Sequence, residues 1–268
     1  MRQEAYFCTV KELDELGKNN IPRQLISHTH LIYSSPATLA FNSPGAEGFG
    51  VKRAGLAVPD SVMLIVSPGC CGRNTSVLSS MRAYQDRFYY LLMDETDIVT
   101  GRHLKKIPKA VAEICEGLKK KPSVVMICIT CVDALLGTDM ERVCHKAEEY
   151  AGVPVRPCYM YALTREGRKP PMVHVRQSIY SLLEPKKKKG NVVNLLGYFS
   201  PLVDDCELYD LLHKAGVKTI HEISRCRDYA EYQTMSEANF NLVLHPEARF
   251  AAEDFHDRLK IPYIELRR

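Results

Sequence analysis

The stretch SVVMICITCVDALLGTDMERVCHKAEEYAGVPVRPCY, Ser123 to Tyr159, decides the fold. An apolar run, Val124–Ile129, is followed by an amphipathic stretch of helix length, Met140–Tyr150, and then by a second apolar run, Val153–Cys158. Strands that are apolar without alternation need cover on both faces, and a helix between them carries the chain back to the same end of a sheet. The pattern therefore predicts parallel β-structure with helices on both sides.

Outward from this unit the alternation continues. Further strand-length runs lie at Val62–Val66 and Tyr89–Met93, with helix candidates at Ser76–Asp86 and Lys105–Lys119. Pro171–Leu183 reads as a helix with proline in its first turn, where the missing N–H costs nothing. Residues 1 to 60 are weakly patterned: KELDELGKN reads as a short helix and NSPGAEGFG (Asn42–Gly50) as loop. EPKKKKGN (Glu184–Asn191) interrupts the pattern, because four consecutive lysines repel one another and stay solvated. The alternation then restarts: strand Val192–Leu196, helix Cys206–Ala215, strand Val217–Ile223, helix Arg227–Met235, strand Asn241–Leu244, helix Arg249–Leu259, strand Tyr263–Leu266. The expected architecture is α/β, with two doubly wound parallel-sheet (Rossmann-like) domains at residues 1–185 and 186–268.

The bulk properties narrow the classes. The 268 residues are 46% hydrophobic and 25% charged, and the formal net charge of +4 is too small to argue for a nucleic-acid partner. No run is long and apolar enough to span a membrane, and the charged N-terminus does not read as a secretory signal, which points to the cytoplasm. There the ten cysteines are read as buried apolar residues, nucleophiles or metal ligands rather than as disulfides. No G-x-x-x-x-G-K-[ST] and no G-x-G-x-x-G occurs, so the chain does not read as a nucleotide hydrolase or a dinucleotide-binding dehydrogenase.

Cys70 and Cys71, in SPGCCGRN, lie just past one predicted strand, and Cys131 just past another. Ligands of open parallel sheets gather at the carboxyl ends of strands. A helix starting next would lower the pKa of a thiol there and favour the thiolate that iron–sulfur clusters require. Cys71 and Cys131 are therefore the first candidate metal ligands. Cys70 is the second, because adjacent cysteines do not easily place both sulfurs on one iron. Gly69 and Gly72 would let backbone approach the bound group. Cys128 and Cys131 form a C-x-x-C, a spacing open to zinc or a redox disulfide, but no second C-x-x-C completes a four-thiol site and Cys128 reads as core. Cys115 and Cys144 read as inert helix thiols, and Cys158, Cys206 and Cys226 as packing residues.

Other candidates carry less. Arg165, Arg168, Lys169 and His174 could bind an anionic substrate or form a solvated loop. Asp94, Glu95 and Asp97 face a basic partner or start a helix. His28 and His30 share a face if extended, without a third ligand.

These segments, in this order and spacing, resemble nitrogenase component 1 and the nitrogenase-like reductases. SPGCCGRN resembles the family's glycine-cysteine-glycine segment. DETDIVTGRHLKKIPKAV is similar to its acidic segment and following helix, and ITCVDALLGTDMERV to its short signature, with Cys131 at the ligand position. VPVRPCYMYALTREG, NVVNLLGYF and IPYIEL resemble further strands. The resemblance implies an iron–sulfur cluster at the contact between two homologous subunits, as a homodimer or heterodimer. It also implies an ATP-hydrolysing iron protein as electron donor. Two strong cysteines per chain suit a [4Fe-4S] cluster shared across the contact, since the loop NSPGAEGFG lacks the thiol many family members carry there. The implied activity is reduction of a small molecule or tetrapyrrole. The alternatives are a non-catalytic scaffold for cluster assembly or transfer, and a plain binding module. His245, in FNLVLHPEARF, stands near the position where the nitrogenase α subunit holds its cofactor through a cysteine. It joins His174 as a catalytic candidate. The resemblance further implies that these residues fall short of the family's third domain.

Overall fold

The computed structural model describes residues 9–17, 19–20, 49–69, 79–130, 132–133, 136–160 and 169–266. Strands β1 (Val62–Ser67), β2 (Phe88–Leu92), β3 (Val125–Ile129) and β4 (Val155–Tyr159) form one parallel sheet in the order β2-β1-β3-β4. Every residue of β1 and of β3 is buried. The lack of alternation has a direct cause, since both faces are covered. Val62, Leu64, Val66, Val125, Ile127 and Ile129 pack beneath helices α4 (His103–Gly117) and α5 (Met140–Ala151). Met63, Ile65, Met126 and Cys128 face helices α2 (Phe49–Gly55) and α6 (Pro171–Tyr180). Side chains of this kind each contribute roughly 1.5–3 kcal/mol on burial.

The second sheet joins β5 (Val192–Leu196), β6 (Thr219–His221), β7 (Phe240–Val243) and β8 (Tyr263–Glu265) in the order β6-β5-β7-β8, again all parallel. Helices α7 (Glu207–Lys214), α8 (Tyr229–Gln233) and α9 (Arg249–Leu259) connect its strands. Asn194 and Asn241 pair in register, and Asn194 Nδ2 donates to Asn241 Oδ1 at 2.7 Å and to the Met235 carbonyl at 2.9 Å. The two sheets repeat one topology. The first strand lies inside, the second on one side of it, and the third and fourth on the other.

Helix α6 ties the two layers together. Val175, Ile179 and Tyr180 share one core with Ala251, Ala252, Phe255 and Leu259 of α9. Tyr180 meets Phe255 edge-on at 5.3 Å, Tyr232 donates its hydroxyl to the Ile179 carbonyl, and Arg258 donates to the carbonyls of Tyr180 and Leu183. Glu184–Asn191 runs as an exposed linker, with Lys188 donating to the Ser236 carbonyl at 2.6 Å and Lys189 paired with Glu237.

Three local expectations change. The described part of Ser76–Asp86 is not a continuous helix: the chain breaks near Ser80 and makes only a 3₁₀ turn at Arg82–Tyr84. The expected loop Asn42–Gly50 ends inside α2, whose Val51 and Ala54 are buried, so packing overrides two glycines. The expected strand Val217–Ile223 pairs only over Thr219–His221 and turns into a 3₁₀ segment at Ile223–Arg225. Asp94, Glu95 and Asp97 belong to the start of helix α3 (Glu95–Thr100), where Asp94 and Asp97 form a capping box. The short helix in KELDELGKN is present as α1 (Val10–Leu16), with its own capping box between Thr9 and Glu12. Among the described residues no helix is long and apolar enough to cross a membrane.

Candidate functional site

In each sheet the winding direction reverses between the first and third strands, and such a reversal leaves a crevice at the carboxyl ends of those two strands. In the first sheet it opens between β1 and β3. Val66 pairs with Ile129, so the strands end side by side, at Ser67 and Thr130. One strand leads to Gly69 and the candidate ligands Cys70 and Cys71, and the other to Cys131. Those three cysteines and Gly72 lie outside the described residues, as do His28, His30, Arg165 and Arg168. Gly69 is described, and no described atom lies within 4 Å of where a Cβ would stand.

The rim is polar, buried and incompletely satisfied. The hydroxyls of Ser67 and Thr130 are buried and make no hydrogen bond among the described residues, a lack that ordinarily costs about 1–3 kcal/mol each. Asp133, two residues past Cys131, is also buried. Its Oδ1 accepts from the Thr138 hydroxyl at 3.0 Å and lies 2.9 Å from His103 Nε2, while Oδ2 has no partner among the described residues. His103 Nδ1 lies 3.0 Å from the Asp97 carbonyl, which can only accept, so Nδ1 donates there. Asp97 in turn is held by Lys106 at 2.6 Å and Arg102 at 3.2 Å. Its hydrogen bond from Lys106 lowers its pKa below the ordinary carboxylate value, against the opposing effect of burial. A chain of hydrogen bonds and ion pairs thus ties Asp133 to helices α3 and α4. Sequence reading missed it, although Asp133 and His103 are the polar residues that interrupt apolar patterns there.

The second sheet has its reversal between β5 and β7, and His245 stands at it. Gly197, just past β5, has φ +147°, and a Cβ there would lie 2.8 Å from the His245 backbone nitrogen. His245 Nδ1 accepts from the Glu247 N–H at 3.3 Å, the ring meets Tyr198 edge-on at 5.8 Å, and burial lowers its pKa. With Nδ1 accepting, the neutral ring carries its proton on Nε2, which can donate it to a bound group. Arg176, buried on α6, closes the rim. It donates to the Gly197 carbonyl at 2.6 and 3.2 Å, to the Met172 carbonyl at 2.8 Å and to Glu247 at 2.9 Å. A lone arginine in the apolar helix PMVHVRQSIY was the available sequence signal.

His174 belongs elsewhere. It lines a cleft of about 510 Å³ between α5 and α6, beside the outer edge of β4, together with Glu141, Cys144, Glu148 and Arg156. Its ring meets Tyr159 edge-on at 4.2 Å, and burial, helped by the Lys169 charge, lowers its pKa to about 4. Lys169 is engaged with Gln177 at 2.9 Å and with the Phe250 ring. Cys128, Cys144 and Cys158 are buried free thiols; Cys115, Cys206 and Cys226 are half-buried free thiols. No cluster of three or more metal-ligating side chains occurs among the described residues.

A family model for nitrogenase component 1 type oxidoreductases matches residues 47–268. The nitrogenase iron-molybdenum cofactor biosynthesis protein NifE of Nostoc sp. is 27% identical over 217 residues, covering 78% of this chain and 44% of that protein. NifE of Rhizobium meliloti is 27% identical over 224 residues, with 81% and 47% covered. The chain spans about half the length of the curated relatives it matches. Among solved structures, nitrogenase Cp1 at pH 6.5 superposes with a TM-score of 0.61 at 18% identity, over 81% of this chain and 52% of that one. A second, nitrogenase Cp1 at pH 5, gives 0.58 at 22%, over 80% and 46%.

Proposed function

Because this chain belongs to the nitrogenase component 1 type oxidoreductase family, we propose that it holds an iron–sulfur cluster at the reversal point of its first sheet and serves as a scaffold in metal-cofactor assembly. Cys71 and Cys131 are the proposed ligands, Cys70 the second candidate, and Gly69 and Gly72 the positions of close backbone approach. The observation that carries the reading is the parallel, in-register ending of β1 and β3, which brings chain segments sixty residues apart to one edge. Thiolates are the ligand chemistry such clusters need. The buried hydroxyls of Ser67 and Thr130, which lack partners, fit a neighbouring acceptor such as a thiolate or sulfide. The scaffold role draws support from the cofactor-biosynthesis names of the similar curated proteins.

In this reading two homologous subunits, identical or not, share a [4Fe-4S] cluster in the cytoplasm, and a separate ATP-hydrolysing iron protein supplies electrons. The absence of a phosphate-binding loop here agrees with ATP being bound elsewhere. The unit boundary falls at residues 185/186, within the exposed lysine linker. A second reading, a reductase of a small molecule or tetrapyrrole, rests on His245 at the other reversal point, with Nε2 uncommitted. His174 is the weaker catalytic candidate.

The test is anaerobic purification. Brown protein with broad visible charge-transfer absorption and about four irons per pair of chains is expected. Cys71→Ala and Cys131→Ala should be colourless yet folded, and Cys115→Ala should stay brown. Colour retained in both ligand variants defeats the assignment. Consumption of electrons that requires substrate, iron protein and MgATP would favour the reductase reading over the scaffold.

A further inference from the structure

Strand β3 ends at Ile129, which is in register with Val66 of β1 on one side and with Tyr159 of β4 on the other. Thr130, the next residue, is buried. Beyond Cys131, Asp133 closes a turn with both its side chain and its main chain. Its Oδ1 accepts from the Thr138 hydroxyl at 3.0 Å, and its carbonyl accepts from the Thr138 N–H at 3.1 Å. The Val132 carbonyl accepts from the Leu136 N–H at 3.0 Å, and Gly137 supplies the positive φ, +65°, that the turn needs. The turn is tied to the domain by His103, whose Nε2 lies 2.9 Å from Asp133 Oδ1. His103 opens helix α4, and its Nδ1 donates to the Asp97 carbonyl at 3.0 Å. Asp133 and His103 are each 1% exposed, so bulk water does not replace either partner when the other is lost. Cys131 lies between Thr130 and Asp133, and the chain is held on both sides of it. Such anchoring carries over one or two residues, because consecutive Cα atoms are fixed about 3.8 Å apart.

We propose that His103 is a positioning residue for Cys131: through Asp133 it fixes the turn that presents the thiolate. The inference rests on the cluster reading for what the thiolate binds, and on hydrogen-bond geometry for how it is held. His103 acts by restricting Cys131 before anything binds, so the ordering cost falls on the fold and not on cluster binding. Removing outer-shell support of this kind costs roughly 10–100-fold in metal affinity. The two ring nitrogens of His103 have different partners, so two substitutions separate them. Asparagine places its amide nitrogen near the Nδ1 position, which keeps the donation to the Asp97 carbonyl and loses Asp133. Glutamine reaches the Nε2 position, which keeps Asp133 and loses the Asp97 carbonyl. Since the contact with Asp133 is the one that positions Cys131, only the asparagine variant should disturb the thiol.

The test begins with the cluster-free chain, where mass spectrometry reads the rate at which iodoacetamide modifies each cysteine. In His103→Asn the Cys131 rate should rise several-fold while the Cys71 rate stays at its wild-type value, and His103→Gln should match wild type at both. Equal Cys131 rates in all three chains overturn the proposal. So does an equal rise at Cys71 and Cys131, which marks general loosening. With the cluster bound, His103→Asn should release iron to a chelator about tenfold faster than wild type, and His103→Gln at the wild-type rate. Equal release from the two variants overturns the proposal. A wild-type chain that binds no iron defeats the cluster reading, and the alkylation rates still decide the positioning. Amide hydrogen exchange of the wild type covers a His103→Asn chain that does not fold. The Leu136 and Thr138 N–H groups should exchange slowly, and exchange at the rate of an open loop overturns the proposal.

Discussion

The two sheets share a topology and differ at the place where topology creates a crevice. At the β5/β7 reversal the rim groups satisfy one another. Arg176 takes the Gly197 carbonyl and Glu247, the Glu247 N–H goes to His245, and Leu244 N–H bonds the Leu196 carbonyl at 2.7 Å. Asn194 and Asn241 each leave one atom unpaired, but within the strand pair, below the rim, and the Ser224 hydroxyl, past β6, is the other buried polar atom of this sheet without a partner among the described residues. At the β1/β3 reversal Ser67, Thr130 and Asp133 keep buried polar atoms without partners among the described residues. The same winding therefore gives one rim closed by its own side chains and one left short of partners. A rim left short is the one suited to receive something else, since its desolvation cost is already incurred in the fold.

The contrast can be broken by substitution. Arg176→Ala should have the largest effect. It leaves Glu247 nearly buried without its cation and the Gly197 carbonyl without a donor, for a loss of about 3–5 kcal/mol in denaturant melts. A loss below about 1 kcal/mol would mean the second rim is not held by this clamp. Gly197→Ala comes next. The positive φ and the contact with His245 should cost about 1–3 kcal/mol, and Tm should fall accordingly.

His174 gives a pH test from outside both rims. Its pKa falls from the ordinary 6.5 to about 4 because the fold accepts the neutral ring. The contribution is therefore complete above pH 6.5 and is lost as pH falls toward 4. NMR titration should show the ring neutral down to about pH 4, and His174→Gln should flatten the stability slope across that window. A midpoint near 6.5 would refute the burial argument. The smallest effect is expected at the first rim. Ser67→Ala and Thr130→Val, measured without any cluster, should leave stability unchanged or raise it by up to ~1 kcal/mol, because each removes a buried hydroxyl that has no partner. A loss comparable to that of Gly197→Ala would erase the difference between the rims.

Much of the architecture was legible along the chain. VMLIV and VVMICI are apolar at every position and VVNLL at all but Asn194, a pattern that both-face burial produces, and α5 and α9 lie within a residue of where their periodicity placed them. Short elements were less legible. Phe49–Gly55 folds as a helix because Val51 and Ala54 find a core, whereas Ser80–Asp86 sends only Tyr84 against one and makes a single 3₁₀ turn. The pairing of Asp133 with His103, and of Arg176 with Gly197 and Glu247, joins residues far apart in the chain, and no local pattern carries it.

By itself the sequence determined which segments are strands covered on both faces, and that thiols follow two of them, because hydrophobic periodicity and residue chemistry are local properties. Only the tertiary structure decided that the strands before Cys71 and Cys131 are neighbours, that His245 stands at the second reversal and His174 at neither, and that Cys128 faces Cys158. Strand order and register are set by which buried faces pack together, and that is a property of the whole chain.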